Sequence, residues 1–390
     1  MARTCSLAAV SVPAALLGVD RAASDRVVDT ELAADTLLRP SQHHNLRTMA
    51  DDLYEGRLVW KSVPLRLNLE LHERCNAACV YCDVPRGSGR TLGTRALERL
   101  LDEVGWGVVE VMPLLGSEPT LGPLEEVARL LRPHNVFLNL ITNGVRMTPR
   151  LVDAILDVTS RIQFSIPSHR LDAYRQVMPI SDFTRVLANL DHVTAAARST
   201  GTQVAVAVVP TAHNLTHLDE WVRFFADRGV DRVVVSKLFE GTKRYDEFAA
   251  ELHLDADVVH DAYERILGAA IERDVFLETC ADALVGRREL PLSKPGRFQI
   301  LLETSALADL YRPGFCMATA TTAFVQADGT VQPCVRDRIE LGVLPKDDEP
   351  AVSFDTIWNG PAMQALRRTH FTRELRPHCA KCSAYFHGHP

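Results

Sequence analysis

Three cysteines fall on one short loop, Cys75-Asn-Ala-Ala-Cys79-Val-Tyr81-Cys82. The spacing is C-x3-C-x2-C, with an aromatic residue just ahead of the last thiol. Three thiolates on one tight loop suit an iron–sulfur cluster that keeps one iron without a protein ligand. Such an iron can bind a small molecule and pass it an electron. The rival reading is zinc, which normally takes four ligands in a structural site. The only neighbouring fourth ligand is His72, inside a predicted strand and off the loop. A second set, Cys316, Cys334, Cys379 and Cys382, supplies four thiols. If it holds a cluster, no iron is left open, and electron transfer is its natural role. Cluster potentials span roughly −700 to +450 mV. The spacing of this set equally allows a four-cysteine zinc site.

The elements that must carry these residues follow from apolar periodicity. Leu65–Leu71 reads as a first strand that delivers the chain to Cys75. Thr94 can cap a helix whose Leu97, Leu100, Leu101 and Val104 share one face. Further strands are expected at Val108–Leu115, Val136–Ile141, Ile162–Ile166, Val204–Val209, Val230–Val235 and Val275–Thr279, with helical segments between them. Strand–helix units recurring about every thirty residues predict a parallel α/β sheet with covering helices. Periodicity alone leaves a partial barrel and an open doubly wound sheet both standing. In either, ligands sit beyond the carboxyl ends of the strands. Gly116-Ser117-Glu118-Pro119, Thr142-Asn143-Gly144 and Ser165 all fall there, as the cysteine loop does.

Together these segments resemble the radical S-adenosylmethionine (radical SAM) superfamily. The resemblance implies a partial (βα)6 TIM-like barrel and a [4Fe–4S] cluster on Cys75, Cys79 and Cys82. Its open iron holds the amino and carboxylate groups of SAM. Reductive cleavage gives a 5′-deoxyadenosyl radical that abstracts hydrogen from substrate. Gly116-Ser117-Glu118-Pro119 looks like the family's Gly-Gly-Glu-Pro motif, with Ser117 in place of the second glycine. It implies that Glu118 meets the SAM amino group. Tyr81, Asn143 and Ser165 match further cofactor-binding positions, although Asn143 equally suits a turn and Ser165 a buried backbone contact. The C-terminal cysteines, with Gly329, Leu341-Gly342 and Ile357-Trp358-Asn359-Gly360, resemble a SPASM domain. No cysteine follows Cys382, which resembles the shortened twitch form with one auxiliary [4Fe–4S] cluster.

The arrangement resembles that of a radical SAM dehydrogenase acting on an aminocyclitol. Oxidation of a secondary alcohol on a small polyol (an amino sugar, aminocyclitol or nucleoside) is therefore the expected reaction. Cys280 belongs to neither cysteine set and sits at a predicted strand end. A thiol there can return a hydrogen atom to a carbon radical, so epimerisation with Cys280 as the catalytic donor is the second expectation. A small buried hydrophobe is the usual fate of a free cysteine. Maturation of a ribosomal peptide is a third reading, and a zinc-binding scaffold a non-enzymatic fourth. His169, Arg170 and Lys237 lie where substrate contact is possible.

Length and composition bound the rest. The 390 residues allow two or three domains, and 46% hydrophobic with 24% charged residues is ordinary for a globular chain. The expected division is an extension at 1–60, a core at 61–284, and a linker with the auxiliary-cluster domain at 285–390. A net charge of −7 without a basic run argues against nucleic acid. No apolar run approaches the ~20 residues of a membrane helix, and Leu7–Val19 makes a weak signal peptide. Cysteines clustered in metal-like sets point to a reducing cytoplasm. The expected partners are a small-molecule substrate and an electron donor such as flavodoxin or ferredoxin.

Overall fold

The computed structural model describes residues 21–26, 37–82, 89–113, 116–236, 238, 244–279, 311–312, 314–334, 339–346, 349–350, 352–380 and 382. Cys5, Cys280, Lys237 and the 285–297 stretch lie outside them.

Seven strands run in parallel: β1 (Arg66–Leu69), β2 (Glu110–Met112), β3 (Phe137–Thr142), β4 (Thr159–Ser165), β5 (Gln203–Val208), β6 (Arg232–Val235) and β7 (Phe276–Thr279). Each pairs with the next in sequence. Parallel neighbours need crossover connections, and helices supply them, among them Thr94–Val104, Leu124–Leu131, Phe183–Ala197, Leu218–Ala226 and Ala256–Glu272. Local chemistry sets several helix starts. Asp182 caps Phe183–Ala197 by accepting from the Arg185 N–H at 3.1 Å. Thr148 caps the helix Pro149–Ile155, accepting from Leu151 N–H at 3.4 Å. Thr94, expected as a cap, is the first helical residue instead, and Gly93 occupies the cap position.

Alternate strand residues pack outward against these helices: Leu67, Leu69, Val111, Leu138, Leu140, Ile162, Phe164, Val204, Val206, Val233 and Leu277 are all buried in one apolar cluster. The opposite faces point into the barrel.

The C-terminal segment shares this sheet. Strand β8 (Thr322–Val325) pairs in parallel with β1 on its free side. Strands β9 (Thr330–Gln332) and β10 (Gly342–Val343) follow antiparallel. The result is one ten-stranded sheet, ordered β10-β9-β8-β1-β2-β3-β4-β5-β6-β7.

Beneath the amino ends of β2 and β3 lies the helix Pro40–Glu55, inside the stretch read from sequence as a motif-free extension. Its Leu46, Met49 and Leu53 are buried in a second cluster with Trp60, Leu65, Val109, Phe137 and Phe315. Its polar residues complete the backbone of the turns it covers. Gln42 Nε2 donates to Val108 O at 2.7 Å and Asn135 O at 2.9 Å. Asn45 Nδ2 donates to Val63 O and Gly107 O, both at 3.0 Å, while its Oδ1 accepts from Val63 N–H at 2.9 Å. Asn45→Ala is expected to destabilise the protein by about 2 kcal/mol, because it strands these buried groups. A lowered urea midpoint would show it, and an unchanged midpoint would refute the bracing role. No helix among the described residues is long and apolar enough to cross a membrane.

Candidate active site

The cysteine loop leaves the carboxyl end of β1. Within it Cys82 N–H donates to Cys79 O at 3.2 Å, closing a tight turn, and Ala77 N–H points at Cys75 Sγ at 3.4 Å. Val80 N–H anchors the far side to Val177 O at 3.1 Å. Tyr81 packs edge-on against Phe248, centroids 6.1 Å apart. Burial raises the Tyr81 phenol pKa, and the adjacent Cys79 and Cys82 thiols push it the same way.

The two neighbouring loops are bonded to this one. Gly116 has φ +101°, a left-handed conformation that favours glycine. Ser117 is half-buried, and Pro119 opens a short 3-10 turn, Pro119–Leu121. Glu118 N–H donates to Arg74 O at 2.9 Å. The Glu118 carboxylate is buried and collects four donors. Oε1 accepts from Thr120 N–H at 3.1 Å, Thr120 Oγ1 at 2.6 Å and Thr142 Oγ1 at 2.6 Å, and Oε2 from Asn143 N–H at 2.7 Å. The Asn143 side chain donates to Asn76 Oδ1 at 2.7 Å and accepts from Val145 N–H at 3.1 Å. Glu118 and Asn143 thus stitch the β2 and β3 loops to the cysteine loop, and Thr120, Thr142 and Asn76 are partners that motif reading missed. Ser165 ends β4 on the inward face, half-buried.

His72 is buried, and its Nδ1 accepts from Arg74 N–H at 3.0 Å. Burial, helped by the Arg74 charge, lowers its pKa. His169 sits against Phe224, with Nε2 3.4 Å from Glu220 Oε2, in the helical layer rather than the barrel. Among the described residues no set of three or more His, Cys, Asp or Glu side chains closes tightly enough for a single metal ion. A cluster distributes its thiolates over several irons and tolerates a wider set.

The second cysteine set lies at the other end of the sheet. Cys316 follows Phe315, a member of the lower apolar cluster. Cys382 N–H donates to Cys379 O at 3.2 Å, the same turn as in the first loop. Burial pushes the Cys316 thiol up to about 12, and the Cys334 and Cys379 thiols add to the rise. A thiol so costly to ionise alone is one that bound iron would hold as thiolate. Between the two regions, Arg90 donates to Glu73 and, through Nη1, to Asp328 at 2.8 Å. Ala327 N–H donates to Glu70 at 3.1 Å. The β8–β9 turn is thereby fixed to the residues that lead into Cys75.

Residues 69–211 match the radical SAM superfamily, and residues 316–383 match the SPASM iron–sulfur cluster-binding domain. The chain carries a radical SAM domain and, after it, a SPASM domain. These domains imply a SAM-binding [4Fe–4S] cluster, SAM itself and auxiliary iron–sulfur ligation. The SPASM match takes in all four C-terminal cysteines. The radical SAM/SPASM chain is 27% identical over 340 residues to a PqqA peptide cyclase of Ruegeria pomeroyi, covering 83% of this chain and 82% of that protein. It is 26% identical over 333 residues to a mycofactocin maturase MftC of Mycobacterium ulcerans, covering 83% and 81%. Among solved structures it resembles Streptococcus suis SuiB bound to its precursor peptide SuiA, with TM-score 0.59, 17% identity, and 90% and 76% of the two chains covered. That likeness shows the fold, a radical SAM barrel with a C-terminal SPASM domain.

The relatives correct the expected reaction. Oxidation or epimerisation of a small polyol finds no support in them, and neither does the likeness to aminocyclitol dehydrogenases. PqqA peptide cyclase is named for work on a peptide, and MftC for the maturation of mycofactocin. The expectation failed because the count of auxiliary cysteines reports on electron flow and carries no information about the substrate. Cys280, assigned as the donor for epimerisation, lies outside the described residues.

Proposed function

We propose that this chain is a radical SAM maturase of a ribosomally made peptide. One observation carries the reading: similarity to PqqA peptide cyclase and MftC covers 83% of this chain, far more than the radical core at 69–211. Cys75, Cys79 and Cys82 would hold the SAM-binding cluster, and Cys316, Cys334, Cys379 and Cys382 one auxiliary [4Fe–4S] cluster. The SAM-bound cluster, once reduced by a flavodoxin or ferredoxin, supplies a radical able to take hydrogen from carbon. The remaining work falls to the protein. Glu118 and Asn143 hold the cysteine loop against its neighbours. Gly116 opens backbone groups to the cofactor, and the Tyr81–Phe248 contact holds one side of the loop in place. Ser165 presents a hydroxyl on the inward face. Four thiolates from Cys316, Cys334, Cys379 and Cys382 would suit that cluster to electron transfer.

Coexpression with each short peptide encoded beside the gene tests this. The expected result is a peptide of altered mass whose formation tracks 5′-deoxyadenosine. If SAM is cleaved and no encoded peptide changes mass, the reading fails.

A further inference from the structure

The helix Pro361–Thr372 carries an arginine with no solvent exposure, Arg367. Its guanidinium lies over two indole rings, with Cζ 4.3 Å from the centroid of Trp60 and 5.1 Å from that of Trp358. Nη1 donates to Leu58 O and to Asn359 Oδ1, both at 2.8 Å. Nε and Nη2 have no acceptor among the described residues. Two carboxylates act on the group from a distance, Asp52 and Asp355, and both are engaged elsewhere. Asp52 Oδ1 pairs with Arg57 Nη1 at 3.0 Å, and its Oδ2 accepts from Lys61 N–H at 3.0 Å and Ser62 N–H at 2.9 Å. Asp355 accepts from Asn359 Nδ2 at 2.7 Å. Burial lowers the Arg367 pKa to about 9, against the pull of Asp52 and Asp355, which leaves the group charged at neutral pH.

Burying this charge is costly, and an apolar side chain of similar volume would fill the space without desolvating a cation. Joining residues 58–60 to the C-terminal domain does not require it. Asn359 already does so, since its Oδ1 accepts from Trp60 N–H at 2.8 Å and its Nδ2 donates to Trp60 O at 2.9 Å. The position of the charge offers a reason. His370 and Phe371, three and four residues on and so on the same helix face, pack on Phe315 with centroids 5.3 and 4.8 Å away. Trp60 packs on Phe315 as well, at 5.8 Å. Phe315 directly precedes Cys316, and Cys379 follows the same helix. These contacts keep the guanidinium within about 20 Å of the Cys316 thiol, where one buried charge still acts on another through an effective dielectric near 20.

We infer that Arg367 is a fixed positive charge that raises the reduction potential of the auxiliary cluster. The inference rests on the assignment of Cys316, Cys334, Cys379 and Cys382 to one cluster. Reduction adds a negative charge there, and a nearby cation favours the reduced form. Net charge is one of the levers that set a cluster's potential. A raised potential makes the cluster a better acceptor for an electron from a carbon radical, so Arg367 biases the direction of electron flow without touching substrate.

A redox titration of the reconstituted enzyme, followed by electron paramagnetic resonance with and without SAM, tests this. SAM alters the signal of the cluster that binds it, so the SAM-insensitive signal belongs to the auxiliary cluster. Arg367→Gln should make that cluster at least about fourfold harder to reduce, which is about 35 mV at 59 mV per tenfold for one electron. The SAM-sensitive signal should keep its midpoint. Arg367→Lys, which retains the charge, should stay near the unmodified value. An unchanged midpoint in Arg367→Gln, an equal fall in Arg367→Lys, or an equal shift of both signals overturns the inference. If Arg367→Gln does not retain its iron, Arg367→Met, which fills the space beside the rings, takes its place with the same outcomes. Loss of auxiliary iron from both variants makes Arg367 structural and also overturns it. Absence of a SAM-insensitive signal from the unmodified enzyme removes the cluster assignment and the inference together. No peptide enters the measurement, so its failure leaves the coexpression test of the maturase reading standing, and the reverse also holds.

Discussion

Cys79→Ala should abolish SAM cleavage while leaving about half of the iron in the protein, if each cysteine set holds a four-iron cluster. Cys79 contributes a thiol and accepts the backbone bond from Cys82 N–H that closes the turn. The substitution removes the first and leaves the second, so the loss belongs to the ligand rather than to the loop. Cys379→Ala should remove the other half of the iron, because its set adjoins the lower apolar cluster and not the cysteine loop. Iron analysis alongside 5′-deoxyadenosine measurement reads both variants. Full SAM cleavage by Cys79→Ala, or loss of all iron from either variant, would contradict the division into separate sites.

Glu118→Leu is expected to be the most damaging change outside the cysteines. It strands four donors in a buried position: Thr120 N–H and Oγ1, Thr142 Oγ1 and Asn143 N–H. Stranded buried donors cost about 1–3 kcal/mol each without adding fully, so a loss of about 3–4 kcal/mol is expected, visible as a lower thermal midpoint. Glu118→Gln separates two roles. A residue that only touches the SAM amino group should leave iron content intact and weaken SAM binding. A residue that holds the loops should lower cluster incorporation, since the amide NH2 cannot accept the bonds that one carboxylate oxygen receives. The second result is expected. Full iron loading with weakened SAM binding would return Glu118 to direct contact.

Much of this architecture is legible in the chain. The apolar runs at Val136–Ile141 and Val204–Val209 became Phe137–Thr142 and Gln203–Val208, because strand periodicity and crossover helices are local properties. The pairing of β8 with β1 is not local. It joins Arg66 to Thr322 across most of the chain, and nothing in either segment names its partner. The helix Pro40–Glu55 was readable in principle, since Gln42, Asn45, Leu46, Met49 and Leu53 recur at helical spacing. Its polar members hid it, because they face buried backbone instead of water. The polar interior also left a signal. Strands of a fully covered parallel sheet are expected to be almost continuously apolar. Arg-Leu-Asn-Leu and Thr-Ser-Arg-Ile-Gln-Phe-Ser alternate instead, which favours a barrel with a polar interior over an open doubly wound sheet. At the site, the cysteine loop and the segments at Gly116–Pro119 and Thr142–Gly144 meet in the structure, but side-chain commitments such as Asn143 to Asn76 depend on tertiary approach.

The parallel pairing of β8 with β1 sets a distance for chemistry. Cys75 lies past the carboxyl end of β1, whereas Cys316 precedes β8 and Cys334 follows β9 back toward the same lower edge. An electron exchanged between the two cysteine sets must travel at least the length of β1, roughly 13 Å for four residues at ~3.3 Å each. Under the peptide-maturase proposal, a substrate bound in the barrel would lie between the two cysteine sets, and its radical could be approached from either end of the strands.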